Sequence, residues 1–174
     1  MIANYLRLVV FSIGLLIGIQ IPSFIDQYAK RVSAHQAEVA RNFAGFEGTA
    51  KEHFGGSVEA LIAHHLASAD LVFKDEAKSI REMYARLTAL TAELAAMRGP
   101  LIKQILHVVF RPNEEILGET WAEYTYTVPL NSAAIITGAA IGTLLAMLIE
   151  GAYAAIASFL RPRRPRLSAS AHLR

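Results

Sequence analysis

The sequence predicts an all-α membrane protein in which two transmembrane helices flank a periplasmic helical hairpin with coiled-coil-like patterning. Three observations carry this. Leu130–Ile149 holds no charged residue, and about 20 apolar residues suffice to cross the hydrocarbon core as a helix. A second uncharged run, Leu8–Ile25, stands near the start of the chain. Between the two, Ile80, Met83, Leu87, Leu90, Leu94 and Met97 recur at alternating spacings of three and four. That is the a/d pattern of a helix whose apolar stripe needs a helical partner.

Composition agrees with a membrane protein. The chain has 174 residues, of which 53% are hydrophobic, and its mean hydropathy is +0.34, high for a soluble globule. It has no cysteine, which excludes a disulfide framework, thiolate metal ligands and a thiol nucleophile. The net charge is only +2, so no nucleic-acid partner is expected. The basic charge gathers instead at Arg161, Arg163, Arg164, Arg166 and Arg174, with no acid among them, as on a cytoplasmic flank.

Residues 1–21 form the expected N-terminal signal anchor. Arg7 precedes the apolar run, and the exit Ile19-Gln20-Ile21-Pro22-Ser23 lacks a small-x-small cleavage site, so the segment is expected to be retained. Gly14 and Gly18 form a G-x-x-x-G step, a spacing that lets two helix backbones approach closely. Residues 22–129 are the expected periplasmic helical domain. Its first helix is expected over Ser23–Phe46, with Pro22 as a kink and Gly45, Gly48, Gly55 and Gly56 as the break that ends it. Ile25, Tyr28, Val32, His35, Val39, Asn42 and Phe46 share its 3-4 face.

Ser57 is a candidate N-cap for a short helix over Val58–Ser68; Asp70 either caps the next helix or continues the bend. The heptad helix is expected over Lys74–Arg98 and stops at Gly99-Pro100. Leu101–Phe110 is a short apolar helix. Pro112 opens a last one over Asn113–Thr127, where Trp121, Tyr124 and Tyr126 resemble an interfacial aromatic belt.

Residues 130–160 carry the second span and its interfacial extension. Ala134, Gly138, Gly142 and Ala146 recur at every fourth position, on one stripe of the helix. Glu150 is expected at the cytoplasmic boundary, solvated. Residues 161–174 are expected to be a disordered basic tail in the cytoplasm. With two spans, both ends lie on the same side of a bacterial inner membrane, and the arginines put that side in the cytoplasm. Lys30 and Arg31 oppose this orientation, but a long loop translocates largely regardless of charge.

Five histidines fall in the central segment: His35, His53, His64, His65 and His107. Of these, His35, His64, His65 and His107 are the candidate ligands of a zinc or copper site, or the elements of a pH sensor. The bland alternative is that they are ordinary core and surface side chains. No H-E-x-x-H or paired Glu-x-x-His motif is present, Gly55-Gly56 is not followed by Lys-Ser/Thr, and no serine stands in a nucleophile motif. No catalytic residue and no cofactor is expected.

Three stretches carry a resemblance: PSFIDQYAKRVSAH at Pro22–His35, SADLVFKDEAKSI at Ser68–Ile80 and TVPLNSAAI at Thr127–Ile135. With the layout around them, they resemble a family of small proteobacterial inner-membrane proteins built on a domain of unknown function. The resemblance implies two spans with a helical middle and transfers no site residue. The expected role is therefore non-enzymatic: a structural or assembly protein of the inner membrane, self-associating or an accessory subunit of a larger complex. Gly14, Gly18, Gly138 and Gly142 would make its helix contacts, and Ile80, Leu87 and Leu94 its periplasmic seam. Its partners would be the lipid bilayer and other protein chains.

Overall fold

The computed structural model describes residues 2–126 and 131–160. Among the described residues there are six α-helices and no strand: α1 (Ile2–His53), α2 (Val58–Ala67), α3 (Leu71–Ala96), α4 (Leu101–Phe110), α5 (Glu114–Ala122) and α6 (Ser132–Leu160). Two of them, α1 and α6, are long and apolar enough to cross a membrane. The described residues divide into two compact units, one of residues 2–20 with 131–160 and one of residues 21–126.

The expected break near Phe46 does not occur. α1 runs unbroken through Pro22, Gly45 and Gly48 to His53. Gly45 and Gly48 lie between two fully buried anchors, Phe43 and Ala50, and packing of that face outweighs the weak helix propensity of glycine. Pro22 lacks an N–H and therefore removes one helical bond, the one that the Gly18 carbonyl would accept. The turn comes at Gly55 and Gly56, whose φ values of 60° and 86° suit a residue without a Cβ.

The caps set the next boundaries. The Ser57 hydroxyl accepts from the Ala60 N–H at 3.1 Å. Asp70 accepts from the Val72 N–H at 2.9 Å, so α3 starts at Leu71, three residues before the expected Lys74. The Asn113 side chain accepts from the Ile116 N–H at 3.1 Å and starts α5. That helix ends at Ala122, short of the expected Thr127, which lies outside the described residues. Asn131 accepts from the Ala134 N–H at 2.8 Å at the start of α6. α6 continues through Ile149 to Leu160. Leu130 and the tail 161–174 also lie outside the described residues.

Residues 21–126 pack around two apolar clusters. In one, Phe43 and Ala50 of α1 meet Leu61 and Ile62 of α2 and Ala77, Ile80 and Leu87 of α3, with Met83 at the margin. In the other, Ile25, Tyr28 and Val32 of α1 meet Leu90 and Met97, with Val108 of α4 and Ile116 of α5; Leu94 is partly buried against them. The late part of α1 thus meets the early part of α3, and the early part meets its end, so the two helices run antiparallel. All six heptad residues, five on α3 and Met97 at its C-cap, face cores built within one chain. Each fully buried apolar side chain of this size contributes about 1.5–3 kcal/mol. Phe43 is the largest contributor that the 3-4 pattern passed over, whereas Asn42, which that pattern included, is exposed.

Candidate functional site

Polar side chains converge on α1 in two places within residues 21–126. The first is largely buried, with Tyr28 fully enclosed and Glu93 and His107 partly exposed. The Tyr28 hydroxyl donates to Glu93 Oε1 at 2.5 Å and accepts from the Asn113 N–H at 2.9 Å. The same Glu93 oxygen lies 2.8 Å from His107 Nε2. Four elements meet there: α1 supplies Tyr28, α3 Glu93, α4 His107, and the cap of α5 Asn113. Burial, and then the bond to Glu93, push the Tyr28 phenol above its ordinary range. The Tyr28 hydroxyl both donates and accepts, and Glu93 Oε1 takes two partners, which suits a structural tie.

The second cluster opens to solvent. Helix periodicity puts Arg31 and His35 on one face of α1, and Glu115, Glu119 and Glu123 on one face of α5. Glu119 Oε2 lies 3.0 Å from His35 Nε2 and 3.4 Å from Arg31 Nη1. Arg31 Nη2 donates to Glu123 at 2.8 Å, and Arg86 of α3 donates to Glu115 at 2.8 Å. The bond to Glu123 holds the Arg31 guanidinium above its usual range, and the same bond holds the Glu123 carboxyl below its own. Arg31 Nε is buried without a hydrogen-bond partner. One ligand atom from each of His35, Glu115 and Glu119 lies within 4.8 Å of the other two.

The four candidate histidine ligands do not share a site. His35 joins Glu115 and Glu119, His107 joins Glu93, and His64 and His65 lie on α2 among aromatic rings. His64 stands 5.3 Å from Phe54, and His65 stands 5.4 Å from Phe73. His65 Nδ1 also contacts the Leu61 carbonyl at 2.9 Å. The reason is geometric: adjacent residues on a helix point about 100° apart, and the remaining histidines sit on different helices. Glu115 and Glu119 stand in no metal-ligand motif. Their i, i+4 spacing was the available signal, but it meant nothing until α5 was known to lie against His35.

A third contact lies within the unit of residues 2–20 and 131–160. A Cβ added to Gly18 would stand 2.6 Å from Gly138 Cα, and one added to Gly14 would stand 2.9 Å from Gly142 Cα. A Cβ on Gly138 would meet the Leu15 carbonyl at 2.9 Å, and one on Gly142 the Phe11 carbonyl at 2.9 Å. The two G-x-x-x-G steps therefore face each other, antiparallel, in one chain. Ala134 is buried and Ala146 half-buried on the same stripe. Arg7 forms an ion pair with Glu150, so Glu150 has a partner beyond solvent. Around this seam the large apolar side chains turn outward: Leu8, Ile13, Leu16, Ile17, Ile136 and Leu144 are all exposed.

The family described as a protein of unknown function, DUF2937, matches residues 2–162. The chain belongs to this family. The match takes in both long apolar helices and the whole helical middle, and the description carries no activity that could be set against the DUF2937 geometry above. No curated protein and no solved structure matches the chain.

Proposed function

We propose that this DUF2937 protein is a non-enzymatic membrane assembly factor, anchored by two helices in a bacterial inner membrane with both ends in the cytoplasm. Its helical middle would lie on the periplasmic side and act as an accessory subunit of a larger complex. The carrying observation is the inside-out arrangement of residues 2–20 and 131–160, where glycines fill the seam and large apolar side chains cover the outside. Lipid tails solvate such an exterior, and close backbone packing holds such a seam without a hydrophobic driving force between the helices.

The same contacts favour an accessory role over self-association. Both glycine steps, and the heptad face of α3, are already covered within one chain. The seam on offer to a partner is correspondingly reduced. Exposed apolar residues on α4, namely Ile102, Leu106, Val109 and Phe110, supply surface of the kind that marks interaction.

Because the chain has no cysteine, Ser79→Cys provides a single label in the middle domain. The expected result is that the protein sediments with membranes. Ser79→Cys should react with an impermeant maleimide from the periplasmic side, and gentle detergent extraction should yield a mass above that of one chain, with a second protein present. A soluble protein, labelling from the cytosol alone, or a lone monomer in detergent would overturn the corresponding part of the proposal.

A further inference from the structure

We infer that His35, Glu115 and Glu119 form a binding site for one divalent transition-metal cation of the zinc type. One imidazole nitrogen with two carboxylate oxygens is a donor set suited to such an ion, and a fourth position stays open to water. The three donors come from two helices that the core already fixes. α1 is held by Tyr28 and Val32, which are fully buried, and α5 by Ile116 and Thr120, which are fully buried as well. Glu115 and Glu119 are one turn apart on α5, so they project side by side toward His35.

Their ligand atoms lie within 4.8 Å of one another. Donors around a tetrahedral zinc stand about 3.4 Å apart, about 1.6 times the metal–ligand bond length. His35 and Glu119 already stand 3.0 Å apart, and Glu115, whose side chain is 52% exposed, has room to rotate inward by the remaining ångström or so.

Charge leaves room for the cation. Three carboxylates, Glu115, Glu119 and Glu123, face two guanidiniums, Arg31 and Arg86. The cluster carries one excess negative charge while His35 is neutral. Each arginine can keep a partner when the metal enters. Arg31 holds Glu123 at 2.8 Å and touches Glu119 only at 3.4 Å. A carboxylate has two oxygens, so Glu115 can face both Arg86 and a metal. Arginines bonded to the ligating carboxylates would then orient them, as outer-shell partners do in metal sites.

The test uses the full-length protein in mild detergent, stripped with a chelator and dialysed against zinc. The expected result is about one zinc per chain. His35→Ala and the double variant Glu115→Gln/Glu119→Gln should each weaken binding by more than about tenfold. His53→Ala, on the exposed end of α1 beside Glu52, should leave it unchanged. Circular dichroism checks that each variant is folded. Cobalt in place of zinc adds a second readout: its visible absorption should appear with the wild type and vanish with His35→Ala. Zinc no higher than the buffer blank in the wild type would overturn the site. So would full zinc content in the folded double variant, or loss of zinc in His53→Ala. None of these outcomes depends on where the protein resides or what it assembles with.

Discussion

Residues 2–20 and residues 21–53 belong to the same helix, yet they are packed by opposite means. In the first stretch the small residues face inward and the large ones outward, so that Gly18 meets Gly138 while Leu16 and Ile17 are more than half exposed. In the second, the large residues face inward, and Tyr28, Val32 and Phe43 are fully buried. The switch shows what each part uses for cohesion. Where water surrounds the helix, burial of large apolar groups drives packing. Where lipid surrounds a helix, as proposed for residues 2–20, burial gains nothing and close backbone contact takes over.

Truncating a large side chain should divide the two stretches most sharply. Phe43→Ala empties the centre of a core and should cost about 3–5 kcal/mol. Leu16→Ala removes an outward side chain that is 57% exposed and should stay within about 0.5 kcal/mol. Denaturation midpoints of the detergent-solubilised protein, followed by circular dichroism, compare them. Equal losses would show that the first stretch is an ordinary buried helix.

Adding a methyl group should reverse the order. Gly18→Ala drives a Cβ against the Gly138 backbone at 2.6 Å. Backbone atoms cannot rotate away, so the helices must separate, at about 1–3 kcal/mol. Gly45→Ala meets nothing within 4 Å and should instead stabilise the helix by about 0.5–1 kcal/mol. The same melting curves should therefore move in opposite directions for two glycines of one helix. A gain at Gly18 would disprove the tight seam.

This contrast also explains what could be seen in the sequence. Local rules found the cap Ser57, the candidate cap Asp70 and the glycine turn at 55–56, and Pro112 marked the start of α5, because each acts over a few residues. Spacing found the stripes of α3 and α6 for the same reason. Neither could show that Gly14 and Gly18 meet the glycines of α6 in the same chain, because pairing is a long-range choice. Gly45 and Gly48 were misleading. Their low helix propensity was visible, while the anchoring of Phe43 and Ala50 against α2 and α3 was not. Nor could the cluster around His35 be found, since Glu115 and Glu119 stand about eighty residues away along the chain. The four histidines were grouped by residue type, and folding separated them.

Polar ties should sharpen the comparison further, because the second stretch carries one on a fully buried side chain, Tyr28. Tyr28→Phe removes one donor and one acceptor and leaves Glu93 and the Asn113 N–H short of a partner. An unsatisfied buried group costs about 1–3 kcal/mol. Tyr126→Phe, at a side chain that is 74% exposed, should be near neutral. Thermal midpoints of the two variants decide this, and equal effects would mean that the network around Tyr28 holds nothing.

The smallest effect concerns the pair that closes the open cluster. Arg31 holds the Glu123 carboxyl below its usual 4.5. A group with a depressed folded pKa binds fewer protons when folded than when unfolded just below its usual value. Its contribution to stability is therefore complete above pH 4.5 and is lost as pH falls below that. Exposure keeps the gain small, since water and salt screen such pairs. Glu123→Gln should accordingly lower the midpoint slightly at about pH 7 and by progressively less as the pH falls below Glu123's usual range, so that the two proteins converge on acidification. Added salt should shrink the difference at neutral pH. A gap that stays constant from neutral to acid would show that Glu123 acts through packing against α1 and not through its charge.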